Sequence, residues 1–307
     1  MATYLIKSIK HNSNNKKLTS SITIDHSFSN KPKPIGYKDY YHKVTRYVEI
    51  ISAPAISKDS SQSPKVFEVV QPNNGESVFN YFDTNSSRAD IGIISKKLEG
   101  YKMGIVGLGG TGSYILDQIA KTPVAEIHLF DGDKFIQHNA FRSPGAPTIE
   151  ELNSKPYKTD YFEKIYSKMH RGIKPHHDYI SKNNVQELDD LDFIFICIDK
   201  GNIKKIIIER LKKNNIPFID VGLDINKVNK QLLGSIRSTL VTNKKKDHVQ
   251  DRISFTDRED DEYSSNIQIS DLNAFNAMIA VMKWKKYMTF YQDLEKEHTT
   301  IYDTNGN

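Results

Sequence analysis

Apolar and polar positions follow two rhythms along this chain. Runs that are wholly or largely apolar occur at 103–106, 125–130, 193–198 and 217–221. Such runs predict strands buried on both faces, as in a parallel sheet sandwiched between helices. Between them, apolar residues fall at helical spacing. The sets are Tyr114, Ile115, Ile119 and Ala120; Phe162, Ile165, Tyr166 and Met169; Ile203, Ile207 and Leu211; and Leu272, Phe275, Ile279 and Met282. Pro156 is placed in the first turn of the second of these helices. Residues 176–180 and 232–242 read as further strands, and 143–152 as a turn and a brief helical piece. A helix over 86–98 is expected to be capped by Ser86 or Ser87, with Arg88 in its first turn. Strands alternating with helices predict an α/β fold, doubly wound and Rossmann-like with a mostly parallel sheet.

Residues 1–85 have a different pattern. Polar stretches at 12–21, 57–64 and 72–76 separate short apolar segments, and 44–51 and 65–71 have the β-branched, aromatic-rich look of strands. A small β-rich extension is expected over 1–85, with Tyr37, Tyr40, Tyr41 and Tyr47 anchoring a core or an interface. The α/β domain then occupies 86–307. The polar tail beyond the last long helix is expected to fray.

The chemistry gathers where the first strand ends. Gly107-Leu108-Gly109-Gly110-Thr111-Gly112 joins it to a helix, and the next strand closes on Asp131-Gly132-Asp133. Glycines in this context allow a tight turn and let a phosphate approach backbone N–H groups at a helix N-terminus. Asp131 is placed to accept hydrogen bonds from a ribose. The same pattern describes NAD binding. Arg142, Lys155 and Lys158 downstream favour ATP, because adenylyl transfer concentrates phosphate charge that fixed cations must meet.

GLGGTGS, DGD, Asn139-Ala140-Phe141-Arg142, a lysine opening a helix, and IFICID together resemble the ThiF/MoeB and ubiquitin-activating enzyme superfamily. More narrowly, the chain resembles bacterial ThiF-family adenylyltransferases that carry an N-terminal extension and accompany ubiquitin-like proteins. The resemblance implies ATP and Mg2+ as cofactors and adenylation of the C-terminal glycine of a ubiquitin-like protein. It implies that Gly107, Gly109, Gly110, Thr111 and Gly112 cradle phosphate, Asp131 holds the ribose, Asp133 belongs to the same nucleotide site, and Asn139 orients the nucleotide. Arg142 and Lys158 would stabilise phosphate charge, with Lys155 the other candidate lysine, and Asp199 would position magnesium. Arg88 matches an arginine that reaches the partner's ATP in related homodimers. A separate conjugating enzyme is a possible partner. Two other readings compete: an NAD(P)-dependent oxidoreductase, and a non-catalytic scaffold that binds a ubiquitin-like protein.

Composition narrows the field further. The chain has 307 residues, 37% hydrophobic and 26% charged, an ordinary composition for a folded soluble protein. The net charge of +5 comes from dispersed lysines, so no nucleic-acid partner is expected. No window approaches the roughly 18 apolar residues of a membrane span, and the first residues have no apolar export signal. A cytoplasmic location is therefore expected, without a membrane partner. The single cysteine, Cys197, sits in an apolar run and is expected to be buried and inert, leaving no thioester cysteine. His170, His176 and His177 cluster in sequence, but no carboxylate or cysteine completes a zinc-ligand spacing, so no zinc is expected.

Overall fold

The computed structural model describes residue 6 and residues 9–65, 67, 69–70, 77–256 and 267–306. The chain divides into two compact units, Met1–Val69 and Val70–Asn307.

In the first unit, strands β1 (Lys10–Asn12), β2 (Lys16–Lys17), β3 (Thr23–Ile24) and β4 (Ser27–Phe28) form two small antiparallel pairs, β1 with β4 and β2 with β3. Helix α1 (Tyr40–Lys58) follows, capped by Asp39, whose carboxylate accepts from the His42 N–H at 2.6 Å. Residues 44–51 therefore lie in a helix, not in the expected strand. Val44, Val48 and Ile51 recur at helical spacing behind a capping aspartate, and this outweighs their β-branched composition. Of the four tyrosines, Tyr37 and Tyr47 pair at 6.3 Å, and the Tyr47 hydroxyl accepts from the Asn30 N–H. Tyr40 and Tyr41 are exposed. The stretch 65–71 includes residues 66, 68 and 71, which lie outside the described residues.

The second unit opens with α2 (Thr84–Arg88) and α3 (Gly92–Ser95), followed by a 3-10 turn at Lys96–Leu98. The single helix expected over 86–98 is thus broken. Asp83, rather than a serine, caps α2, accepting from the Ser86 N–H at 3.0 Å. Asp90 adopts a φ of 55°, which ends the helical run. Arg88 consequently sits in a last turn, where the helix dipole favours a cation.

The main sheet then assembles from β5 (Lys102–Val106), β6 (Glu126–Phe130), β7 (Ile173–His176), β8 (Phe193–Ile196), β9 (Phe218–Val228), β10 (Gln231–Val241) and β11 (Thr299–Asp303). Its order is β11-β10-β9-β8-β5-β6-β7, parallel from β9 through β7 and antiparallel at β10 and β11. The connections carry α4 (Gly110–Ile119), α5 (Gln137–Ala140), α6 (Ile149–Ser154), α7 (Lys158–Tyr166), α8 (Gly201–Asn214), α9 (Val249–Arg252) and α10 (Ser270–Tyr287).

Successive strand residues enter opposite layers. Met103, Ile105, Phe193 and Phe195 pack with α4, α7 and α10, whereas Val106, Ile194 and Ile196 pack with α8. Burial on both sides explains the unbroken apolar runs. Four expectations shift. The third strand is Ile173–His176, not 176–180, and Pro156 precedes α7 rather than lying in its first turn. The tail forms an edge strand on β10 instead of fraying. In α10 the buried residues include Asn273, Asn276, Ala277, Ala280, Val281 and Trp284, so the expected face through Phe275 and Met282 looks outward. Trp284 is fully buried against Phe195 and contributes nothing to an exposed face.

Candidate active site

Parallel strands leave a crevice at their carboxyl ends where the winding reverses, and in this sheet the reversal lies between β5 and β8. A cleft of about 1060 Å³ opens there, lined by the glycine turn, Asp131, Asp133, Arg142, Lys158, Tyr179, Asp199, Lys204 and Arg237, among others. The glycines are required at contact distances. Gly107 has a φ of 93°, and a side chain on Gly112 would begin 1.9 Å from the Gly107 carbonyl. Thr111 donates from its hydroxyl to Asn273 Oδ1 at 2.9 Å, which ties α4 to α10.

Asp131 fixes the turn from behind. Its Oδ2 accepts from the Leu108 N–H at 2.7 Å and its Oδ1 from the Asp133 N–H at 2.9 Å. Lys158, itself buried, reaches Asp133 at 2.5 Å and Asp131 at 3.4 Å. Burial works to raise the Asp133 carboxyl's pKa, but the bonds from Lys158 and Tyr179 outweigh it and hold the group below its ordinary value. Arg142 is half-buried, and its Nε has no hydrogen-bond partner. Burial lowers its pKa against the opposing pull of Asp133, Asp199 and Asp131. Asp199 follows β8 on the cleft rim.

The structure brings together the glycine turn, Asp131, Asp133, Arg142, Lys158 and Asp199. Three of the residues singled out in the sequence lie elsewhere. Lys155 is exposed and ends α6 in a left-handed conformation. Asn139 is buried and spends its side-chain oxygen on the Ile136 N–H at 2.9 Å. Arg88 is exposed and does not line the cleft. The three histidines separate as well. His170 bonds to the Val124 carbonyl, His176 to His128, and His177 to Asp160. Among the described residues no three His, Cys, Asp or Glu side chains converge as a metal-binding group. Cys197 lines the cleft half-buried, and burial, reinforced by Asp220, pushes its thiol pKa up.

Sequence reasoning missed a charged cluster at the far side of the cleft. Asp220 is fully buried; one of its oxygens lies 2.8 Å from the Lys204 ammonium as an ion pair, and the other accepts from Arg237 at 2.7 Å. Its signals were a carboxylate inside the apolar run 217–221 and a lysine in the buried stripe Lys204, Ile207, Ile208, Leu211. Tyr179 was also missed. It packs over Gly132 and donates to Asp133.

Comparison with known proteins agrees with this architecture. Residues 2–84 match a domain of unknown function, DUF6791, and residues 86–303 match the ThiF family. No curated protein sequence matches. The crystal structure of PaaA superposes with a TM-score of 0.54 at 16% identity, covering 91% of this chain and 92% of that one. Escherichia coli MccB with MccA-N7isoAsn gives 0.57 at 15% identity, covering 73% and 72%. MccB with ATP gives 0.56 at 16% identity, covering 72% and 71%. Among the described residues no helix is long and apolar enough to cross a membrane. With its motif order, its sheet and a match spanning most of its length, the chain belongs to the ThiF family of adenylyltransferase-type, nucleotide-binding enzymes.

Proposed function

We propose that this chain transfers the adenylyl group of ATP to a carboxylate, the C-terminal glycine of a ubiquitin-like protein. The observation that carries the reading is the meeting of Arg142, Lys158 and a glycine-lined helix N-terminus in one cleft, with Asp131 beside them. MccB structures hold ATP in one case and MccA or MccA-N7isoAsn in others, which supports a nucleotide beside a second substrate here.

In this reading the phosphates lie over the Gly107–Gly112 turn and the ribose meets Asp131. One carboxylate oxygen of the substrate attacks the α-phosphorus, the new C–O–P bond forms, and the bond to the departing pyrophosphate breaks. No side chain has to remove a proton, because the carboxylate is already ionised at neutral pH. Arg142 and Lys158 face the charge that grows on the phosphates, and such preorganised contacts are worth about 10²–10³ in rate each. Lys158 must then exchange its bond to Asp133 for phosphate oxygens. Mg2+ fits the oxygen donor that Asp199 offers, since this cation takes one or two carboxylates and completes its shell with phosphate and water. When bound it would neutralise phosphate charge. Arg88, outside its own cleft, would serve the partner's cleft in a homodimer.

Cys197, with its thiol pKa pushed up, is unsuited to form a thioester. The acyl adenylate would pass to a nucleophile on another protein. ATP–pyrophosphate exchange with candidate ubiquitin-like proteins tests the proposal, and exchange that depends on an intact C-terminal glycine supports it. Binding of NADH at least as tight as that of ATP would refute it.

A further inference from the structure

The strand order gives the cleft a direction. The glycine turn ends β5 and Asp131 ends β6, while Tyr179 follows β7. Neighbouring strands lie about 4.8 Å apart, so these three stations follow one another outward across the sheet. Phosphate, ribose and base follow one another in a nucleotide at a comparable spacing. If phosphate lies on the turn and ribose at Asp131, the base falls at Tyr179.

Tyr179 is prepared for contact in a way that folding does not explain. It is 58% exposed, so its ring adds little buried area. Yet it is held from three sides. Its hydroxyl donates to Asp133, the carboxylate that also holds Lys158. Gly132 leaves room beneath the ring, where a Cβ would stand 2.8 Å from it. The Lys200 ammonium lies over the ring, 5.7 Å from its centroid. Phe130 and Ile180 give the adjoining wall an apolar lining.

We propose that Tyr179 is the base-stacking residue of the cleft, its ring taking the purine face while its hydroxyl holds Asp133 in place. The assignment rests on the adenylation reading, because it places the ribose at Asp131. Stacking of a base on an aromatic ring is sequence-tolerant, so Tyr179 would contribute affinity more than discrimination between adenine and guanine.

Calorimetric titration of the full chain with ATP and, separately, with inorganic tripolyphosphate tests it. Tyr179→Ala should bind ATP about 5- to 150-fold more weakly than Tyr179→Phe, which lacks the same hydroxyl, whereas tripolyphosphate, which has no base to stack, should bind the two variants alike. Tyr179→Phe, which keeps the ring, should stay within about threefold for ATP. Unchanged ATP affinity in Tyr179→Ala would overturn the assignment alone, as would equal losses for ATP and tripolyphosphate. No ATP binding by the unaltered protein would overturn the adenylation reading itself, and the assignment with it.

Discussion

Replacing Asp220 with leucine should destabilise this protein strongly. The carboxylate is fully buried and the Lys204 side chain is 6% exposed, so its removal leaves an almost fully buried ammonium without its ion-pair partner. Breaking a buried pair from one side costs about 3–5 kcal/mol. For a unit the size of Val70–Asn307, each kcal/mol shifts the midpoint by about 2–4 °C, so the expected fall is about 6–20 °C. Arg237 adds less, because its side chain is 21% exposed and can reach water. The assay has an internal reporter in Trp284, the chain's single tryptophan, which is buried in the same unit. Its fluorescence would be followed through thermal and urea unfolding. Adding Lys204→Met to Asp220→Leu removes the stranded charge and should recover more than half of the loss, measured as a double-mutant cycle. A single mutant within about 1 kcal/mol of the unaltered protein would refute the reasoning, as would a cycle with no coupling.

Three further outcomes follow from the site. Arg142→Ala and Asp199→Asn should each lower ATP–pyrophosphate exchange by about 10²–10³ while leaving the unfolding midpoint unchanged, and near-normal turnover in either would contradict the proposed roles. Cys197→Ala should keep exchange near its starting level, and no reductant-sensitive adduct with the acyl substrate should appear on non-reducing gels. The Asp133 carboxyl has a depressed pKa in the folded state, so it stabilises the fold above its unfolded value of about 3.9, and this contribution is lost as the pH falls through the lower, folded value. The stability gap between the unaltered protein and Asp133→Asn, read from urea unfolding, should therefore be full at neutral pH and close on acidification. A gap that widens instead would mean that the Lys158 and Tyr179 bonds do not favour the charged form.

Legibility in the sequence followed burial. Strands β5 and β8 could be read because both faces are covered, so Met103–Val106 and Phe193–Ile196 carry no polar side chain and no phase has to be guessed. The glycine turn could be read because its spacing is dictated by atoms that would otherwise collide, as at Gly112. Helix α10 was placed correctly but given the wrong face. Its inward side carries Asn273 and Asn276, which bond Thr111, Ser238 and the Gly222 carbonyl, and polar residues do not announce a buried stripe. β11 was missed because an edge strand half in water carries no continuous apolar run. In the cleft, the glycine turn, Asp131, Asp133, Arg142, Lys158 and Asp199 came together, whereas Asn139, Lys155 and Arg88 did not join them; Lys204, Asp220 and Arg237 come from three elements and meet only through the fold. Lys158-Thr159-Asp160 resembles the family pattern, which favours Lys158 over Lys155, and the left-handed end of α6 leaves Lys155 exposed while Lys158 is buried.

The central claim is that this cleft activates a carboxylate with ATP. The most direct measurement is exchange of radiolabelled pyrophosphate into ATP, catalysed by the full chain with magnesium and a panel of ubiquitin-like proteins. Exchange should appear with at least one of them, disappear when its terminal glycine is deleted, and be lost in Arg142→Ala. Exchange that proceeds equally with the glycine deleted, or survives in Arg142→Ala, would contradict the account.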